Sequence, residues 1–303
     1  MNVLVTGGCG FIGSNLVNSL ISKKYKVIVI DNLSSDAHDE FYFNDKAIYH
    51  HNSITDYIIC SDIFRKYQPS IVFHLAAESR IQNCIEDPLL ALETNYLGTA
   101  TMLQLCKKYQ HNVKRFVFSS TSAIYGLKNT GPLIESMESD CLNAYSLSKK
   151  GGEEICNLYS SSYGVDTVCL RYFNVYGPHQ PKKGPYAPVI GIFQRQKEAK
   201  EALTVVGDGE QTRDYVHVSD VVEANIMAGC HETNLSGQIF NVGTGNAYSV
   251  NDIARRISSN IKYIPPRTGE ARDTLANNTK IKNYFGWKPK IQLMEWIDVH
   301  INS

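Results

Sequence analysis

The segment from Asn2 to Asp31 constrains the fold more than any other part of this chain. Asn2-Val3-Leu4-Val5 is a short apolar run rich in β-branched residues, and it leads straight into Thr6-Gly7-Gly8-Cys9-Gly10-Phe11-Ile12-Gly13. Apolar residues then recur at helical spacing (Ile12, Leu16 and Leu20, with Val17 and Ile21). A second run, Lys26-Val27-Ile28-Val29-Ile30, closes on Asp31. Strand, glycine turn, helix and strand of these lengths make a βαβ unit. Gly7, Gly10 and Gly13 permit a tight turn, close approach of a pyrophosphate, and close helix–strand packing with phosphates at the helix N-terminus. Asp31 ends the second strand, where a carboxylate accepts hydrogen bonds from both adenosine ribose hydroxyls and repels a 2′-phosphate. The pattern favours NAD(H) over NADP(H).

The alternation continues downstream. Ile71-Val72-Phe73-His74-Leu75-Ala76-Ala77 reads as a buried parallel strand whose small terminal residues let a flat ligand pass close to the backbone. Pro88 to Tyr109 has helical periodicity, and Arg115-Phe116-Val117-Phe118-Ser119-Ser120-Thr121 is a strand that delivers hydroxyls at its C-terminal end. A helix opening near Tyr145 and a strand at Thr167–Tyr172 complete an α/β, doubly wound parallel sheet. Ligands bind such sheets at the C-terminal strand ends, where the glycines and the hydroxyl row both sit.

Tyr145 and Lys149 lie four residues apart at the start of that helix and project from one face. A tyrosine with a pKa of about 10 is a poor base at neutral pH. A neighbouring ammonium favours the phenolate, so this phenol can trade protons with a substrate hydroxyl. The same spacing also fits a solvated lysine beside a packed tyrosine, and it is the surrounding motifs that favour chemistry. His74 reads as a structural strand-end histidine. Asn95 serves either a break in the main chain or the ligand.

Composition excludes several classes. Lys plus Arg and Asp plus Glu are both 30, so the net charge is zero, which argues against a general nucleic-acid binder. The eight cysteines show no Cys-x-x-Cys and no zinc-finger spacing, so reduced buried thiols are expected, with no metal. The chain has neither a signal-peptide pattern nor a membrane-length apolar run, and a cytoplasmic, soluble protein is expected.

Taken together, these residues resemble the extended short-chain dehydrogenase/reductase superfamily, specifically its nucleotide-sugar epimerases and dehydratases. The resemblance rests on Thr6–Gly13, Asp31-Asn32-Leu33, His74–Ala77, Asn95–Thr99, Ser119–Gly126, Tyr145 with Lys149, Arg171–Asn174, Arg213–Asp220 and Asn241–Gly245. It implies a Rossmann domain over residues 1–173, with 213–242 returning to it, and a smaller nucleotide-sugar lobe over 174–212 and 243–303. By motif position, Gly7, Gly10, Phe11, Ile12, Gly13, Asp31, Asn32, Ser53, Ile54, Leu75, Ala76, Ala77, Asn95, Ser119, Tyr145, Lys149 and Tyr172 would hold NAD. Tyr145 would be the acid/base, Lys149 would hold the nicotinamide ribose and lower the Tyr145 pKa, and Thr121 would bond the reacting sugar hydroxyl, with Ser120 and Ser122 as neighbouring candidates.

The resemblance also bears on the substrate. Dehydratases of this superfamily typically carry Asp-Glu after the first hydroxyl of the motif, and UDP-glucuronate decarboxylases a nearby Glu. Here Thr121-Ser122-Ala123-Ile124-Tyr125 has no carboxylate, which favours epimerisation of a UDP-hexose. Asn174 and Arg213 would contact the diphosphate, Thr204 and Val205 the base, and Arg267 and Glu270 a phosphate and the nucleotide ribose. By the resemblance, Thr274 occupies the place where glucose-restricted epimerases commonly have a bulky tyrosine, and it would leave room for N-acetylated sugars alongside UDP-Glc and UDP-Gal. Ser53 departs from the family's adenine-binding Asp, with weaker cofactor binding expected. A homodimer built on Pro88–Tyr109 and Tyr145–Tyr163 is also implied.

Overall fold

Alternating burial builds the central sheet. In β1 (Asn2–Thr6), Val3 and Val5 face one side and Leu4 the other, all three fully buried. The computed structural model describes residues 1–35, 40–183, 187–266 and 272–302. The remaining main-sheet strands are β2 (Lys26–Asp31), β3 (Ile48–His51), β4 (Ile71–His74), β5 (Arg115–Thr121), β6 (Thr167–Tyr172) and β7 (Gln238–Val242). They form a seven-stranded, wholly parallel sheet in the order β7-β6-β5-β4-β1-β2-β3. Strand order reverses between β1 and β4, and the crevice opens at that switch point.

Both faces are covered by helices. Phe11–Ser22 packs with Val218–Cys230 over Val3, Val5, Val27, Val29 and Phe73. On the opposite face, Tyr57–Tyr67, Gly98–Lys108 and Ala144–Tyr163 cover Leu4, Ile28, Val72, Phe116 and Phe118. The stretch Pro88–Tyr109 is not one regular helix. A π-helical turn at Leu92–Leu97 separates the α-helical pieces Pro88–Ala91 and Gly98–Lys108 and directs Asn95 into the interior.

Beyond Tyr172 lies a smaller layer. Thr212–His217 is its hub, pairing with Asn174–Tyr176, Ala247–Ser249 and Asp273–Ala276. Leu203–Val206 pairs separately with Ile261–Ile264. Tyr176, Ile190, Phe193, Leu203, Val205, Ile253 and Trp296 form the core of this layer. No helix among the described residues is long and apolar enough to cross a membrane.

Candidate active site and dinucleotide cleft

One cleft of about 1240 Å³ runs along the C-terminal strand ends into the smaller layer. Its first arm is walled by the glycine turn. Gly7 sits at φ +69°, and a Cβ there would come within 2.7 Å of the Ala76 amide nitrogen. A Cβ on Gly13 would strike the Gly7 carbonyl. The turn thus presents bare backbone to the cleft. No side chain caps the N-terminus of Phe11–Ser22, and Gly10, Phe11, Ile12 and Gly13 all line the arm. The uncapped amides and the positive helix end suit a pyrophosphate.

Asp31 is held at the mouth, its carboxylate accepting from the Cys9 and Leu33 amides at 2.9 Å each. Asn32, Ser53, Ile54, Leu75, Ala76 and Ala77 line the same arm. The Ser53 hydroxyl is turned into its own loop, 2.8 Å from the Thr55 hydroxyl. A cradle of glycine backbone with a carboxylate at the end of the neighbouring strand, both lining one cleft, fits a dinucleotide without a 2′-phosphate.

The middle of the cleft holds the candidate reactive groups. Asn143 caps Ala144–Tyr163 through a capping box with Ser146, which starts the helix immediately before Tyr145. Burial raises the Tyr145 phenol above its ordinary pKa, and a hydrogen bond with Thr121 opposes that rise. Lys149 is 3% exposed and donates to the Ser119 carbonyl at 2.8 Å. Burial lowers its pKa to about 8. The expectation that Lys149 lowers the Tyr145 pKa is therefore amended for this structure: desolvation is the largest influence on the phenol, and the ammonium is turned to Ser119. The Ser119 hydroxyl meets Tyr172 at 2.9 Å, and Tyr172 donates a hydrogen bond to Asn225 Oδ1 at 2.8 Å. Ser122 lines the cleft beside Thr121, in a short 3-10 turn that Thr121 caps by accepting from the Ala123 amide.

The second arm gathers Asn174, Thr204, Arg213 and Thr274. Arg213 and Thr274 are register partners on adjacent strands, although 61 positions separate them in the chain. Arg213 donates to the Thr212 and Arg272 carbonyls, at 2.9 and 3.0 Å. Asn174 donates to the Asp214 carbonyl at 3.1 Å. The Thr274 hydroxyl is buried and has no hydrogen-bond partner.

Three expectations need adjustment or stay outside this geometry. Val205 does not line the cleft. Adjacent strand residues face opposite ways, so Thr204 and Val206 reach the cleft while Val205 is fully buried in the core beneath. Asn95 takes the main-chain alternative, bonding the Glu78 amide and carbonyl and the Ser148 hydroxyl at 2.8 to 3.0 Å, and it does not line the cleft. Arg267 and Glu270 lie outside the described residues. His74 is structural, as expected: its ring bridges Thr6 and Thr99, and burial lowers its pKa to about 3. Asp214 and Asp220 are structural acceptors too: both take backbone amides, and Asp214 also takes the Thr244 hydroxyl.

Sequence reasoning missed Tyr215. Tyr215 lines the second arm, and its hydroxyl is buried with no hydrogen-bond partner. The signal was available, because i, i+2 alternation from Arg213 puts Tyr215 on the same strand face. Among the described residues, no cluster of His, Cys, Asp and Glu is arranged to hold a metal.

The chain is similar to known proteins over nearly its full length. The family profile described as GDP-mannose 4,6 dehydratase matches residues 4–299. A UDP-glucose 4-epimerase of Mycolicibacterium smegmatis is 32% identical over 307 residues, covering 98% of this chain and 96% of the relative. The crystal structure of UDP-glucose 4-epimerase from Thermotoga maritima with UDP-glucose superposes with a TM-score of 0.92 at 38% identity, covering 100% of this chain and 98% of the other. That of the Thermus thermophilus UDP-glucose 4-epimerase complex with NAD gives 0.89 at 32% identity, with 100% and 98% covered. Proteins named as a decarboxylase and a dehydratase lie in the same neighbourhood. Likeness of this extent leaves one assignment: the chain belongs to the nucleotide-sugar epimerase/dehydratase family of the extended short-chain dehydrogenases/reductases.

Proposed function

We propose that the protein is an NAD-dependent 4-epimerase of UDP-hexoses. The observation that carries this reading is the convergence of Tyr145, Thr121 and Lys149 at the strand ends, with Ser122, Ala123 and Ile124 following Thr121 where eliminating relatives need a carboxylate. NAD is the cofactor, and when bound it supplies a nicotinamide that accepts and returns a hydride. The glycine turn holds its pyrophosphate, Asp31 its adenosine ribose, and Lys149 its nicotinamide ribose. Tyr145 takes the proton of the sugar 4-hydroxyl and later returns one to the same oxygen. Thr121 orients that hydroxyl. Arg213 and Asn174 face the diphosphate, and Thr204 faces the base.

Thr274 bears on the sugar. Its small side chain lines the second arm where a bulkier one would fill the space of a C2 acetamido group, so both UDP-Glc/UDP-Gal and UDP-GlcNAc/UDP-GalNAc are substrates in this reading. Purified protein incubated with UDP-Glc and with UDP-GlcNAc should yield the 4-epimers by NMR. A 6-deoxy-4-keto sugar or a pentose as product would overturn the reading.

The protein acts as a homodimer in this proposal. Leu89 (76% exposed), Leu97, Leu147 and Leu158 leave large apolar side chains on the outer face of the Pro88–Ala91, Leu92–Leu97 and Ala144–Tyr163 segments. Light scattering at micromolar concentration should return twice the chain mass.

A further inference from the structure

Beneath the reactive groups lies a buried ion pair that the mechanism above does not use. Glu153 is 2% exposed, Arg171 2% and Ser120 3%. One Glu153 oxygen accepts from Ser120 Oγ at 2.6 Å and from Arg171 Nε at 2.7 Å, and the other accepts from Arg171 Nη2 at 2.7 Å. The pair is thus bidentate, the geometry that fixes orientation as well as separation. Lys150 is the nearest other charge, 4.0 Å from the carboxylate.

The three residues sit on three elements. Glu153 is on the helix of Tyr145, one turn beyond Lys149; Ser120 is on β5; Arg171 is on β6, directly across from Ser120 in register. Ser120 stands between Ser119, whose carbonyl receives Lys149, and Thr121, which lines the cleft with Tyr145. Gly152 lets the helix approach β5, because a Cβ there would strike the Phe118 ring. Apolar packing alone tolerates sliding of a helix along a sheet, whereas a bidentate carboxylate shared by two strands does not.

We infer that Glu153 is a positioning residue: with Arg171 and Ser120 it sets the height of the Tyr145 helix against β5, so that Tyr145, Lys149, Thr121 and the Ser119 carbonyl meet. A misplacement of about 1 Å at reacting groups can cost a hundredfold in rate.

The inference rests on the proposed function only for its kinetic readout. Two variants test it. Ser120→Ala removes the link to β5 and keeps the ion pair. Glu153→Leu combined with Arg171→Met removes the clamp without stranding a buried charge, a replacement that often preserves stability. Crystal structures should show the Lys149–Ser119 contact, 2.8 Å here, opening beyond about 3.5 Å in the double variant. On whichever UDP-sugar the wild type converts, kcat should fall by about tenfold or more in the double variant and less in Ser120→Ala, with KM nearly unchanged. A double variant that keeps both the contact and wild-type kcat overturns the inference. Should the double variant not fold, Ser120→Ala decides alone: wild-type kcat and an unmoved contact there overturn it. A wild type that epimerises neither sugar refutes the proposed function, and the contact distance still judges this inference.

Discussion

The two arms of the cleft differ in how they leave their buried hydroxyls. Around Tyr145, Lys149 donates to Ser119, Ser119 meets Tyr172, and Tyr172 donates to Asn225. In the second arm, the hydroxyls of Thr274 and Tyr215 are buried with no partner at all. A buried hydroxyl without a hydrogen bond costs about 1–3 kcal/mol, so a fold retains one where something else repays the cost. The contrast teaches that the groups around Tyr145 satisfy one another, whereas the second arm mixes bonded groups, Arg213 and Asn174, with two buried hydroxyls that have no partner.

The largest test of this contrast is Tyr145→Phe. Loss of a general acid/base should lower turnover by about a thousandfold while leaving the fold intact, read by NMR rate and by melting. Turnover surviving in that variant would remove Tyr145 from the chemistry.

Lys149 offers the next largest effect. An unfolded lysine keeps its proton to about pH 10.5, and the buried one releases it near 8. Between those values the unfolded chain binds more protons, so stability climbs as pH rises. Lys149→Met should therefore be more stable than wild type at pH 7, by up to ~3 kcal/mol, with the gap shrinking toward pH 10. Urea unfolding at several pH values measures it, and a pH-independent gap would contradict the assignment of cause.

Thr274→Tyr probes the second arm. A phenol in place of the acetamido space should suppress UDP-GlcNAc turnover about tenfold or more and spare UDP-Glc. Equal losses on both sugars would mean that Thr274 only packs its strand. The smallest effect belongs to Tyr215→Phe. Removing a partnerless hydroxyl should leave stability unchanged or raise it by about 1 kcal/mol, read by urea unfolding. A loss of stability there would blur the division between the arms.

What could be read without coordinates depended on short spacing. The glycine turn, Asp31 at the end of its strand, and Tyr145 with Lys149 on one helix face are each set by local periodicity, and the cleft brings them together. Reading stopped where local geometry broke its own period or where facing was ambiguous. The π-helical turn at Leu92–Leu97 inserts an offset that no apolar pattern marks, and it turned Asn95 from the ligand to the Glu78 main chain. Val205 was lost to the core because a two-residue alternation gives two equivalent choices until something defines which face is inside.

The sequence by itself determined a βαβ start, a doubly wound sheet, and the chemistry available at its strand ends, because hydrophobic period and glycine spacing act over a few residues. Tertiary structure alone decided that Arg213 pairs with Thr274 and that Glu153 clasps Ser120 and Arg171. These contacts join residues tens of positions apart, and their register is chosen by the packing of whole strands and helices, which no local pattern specifies.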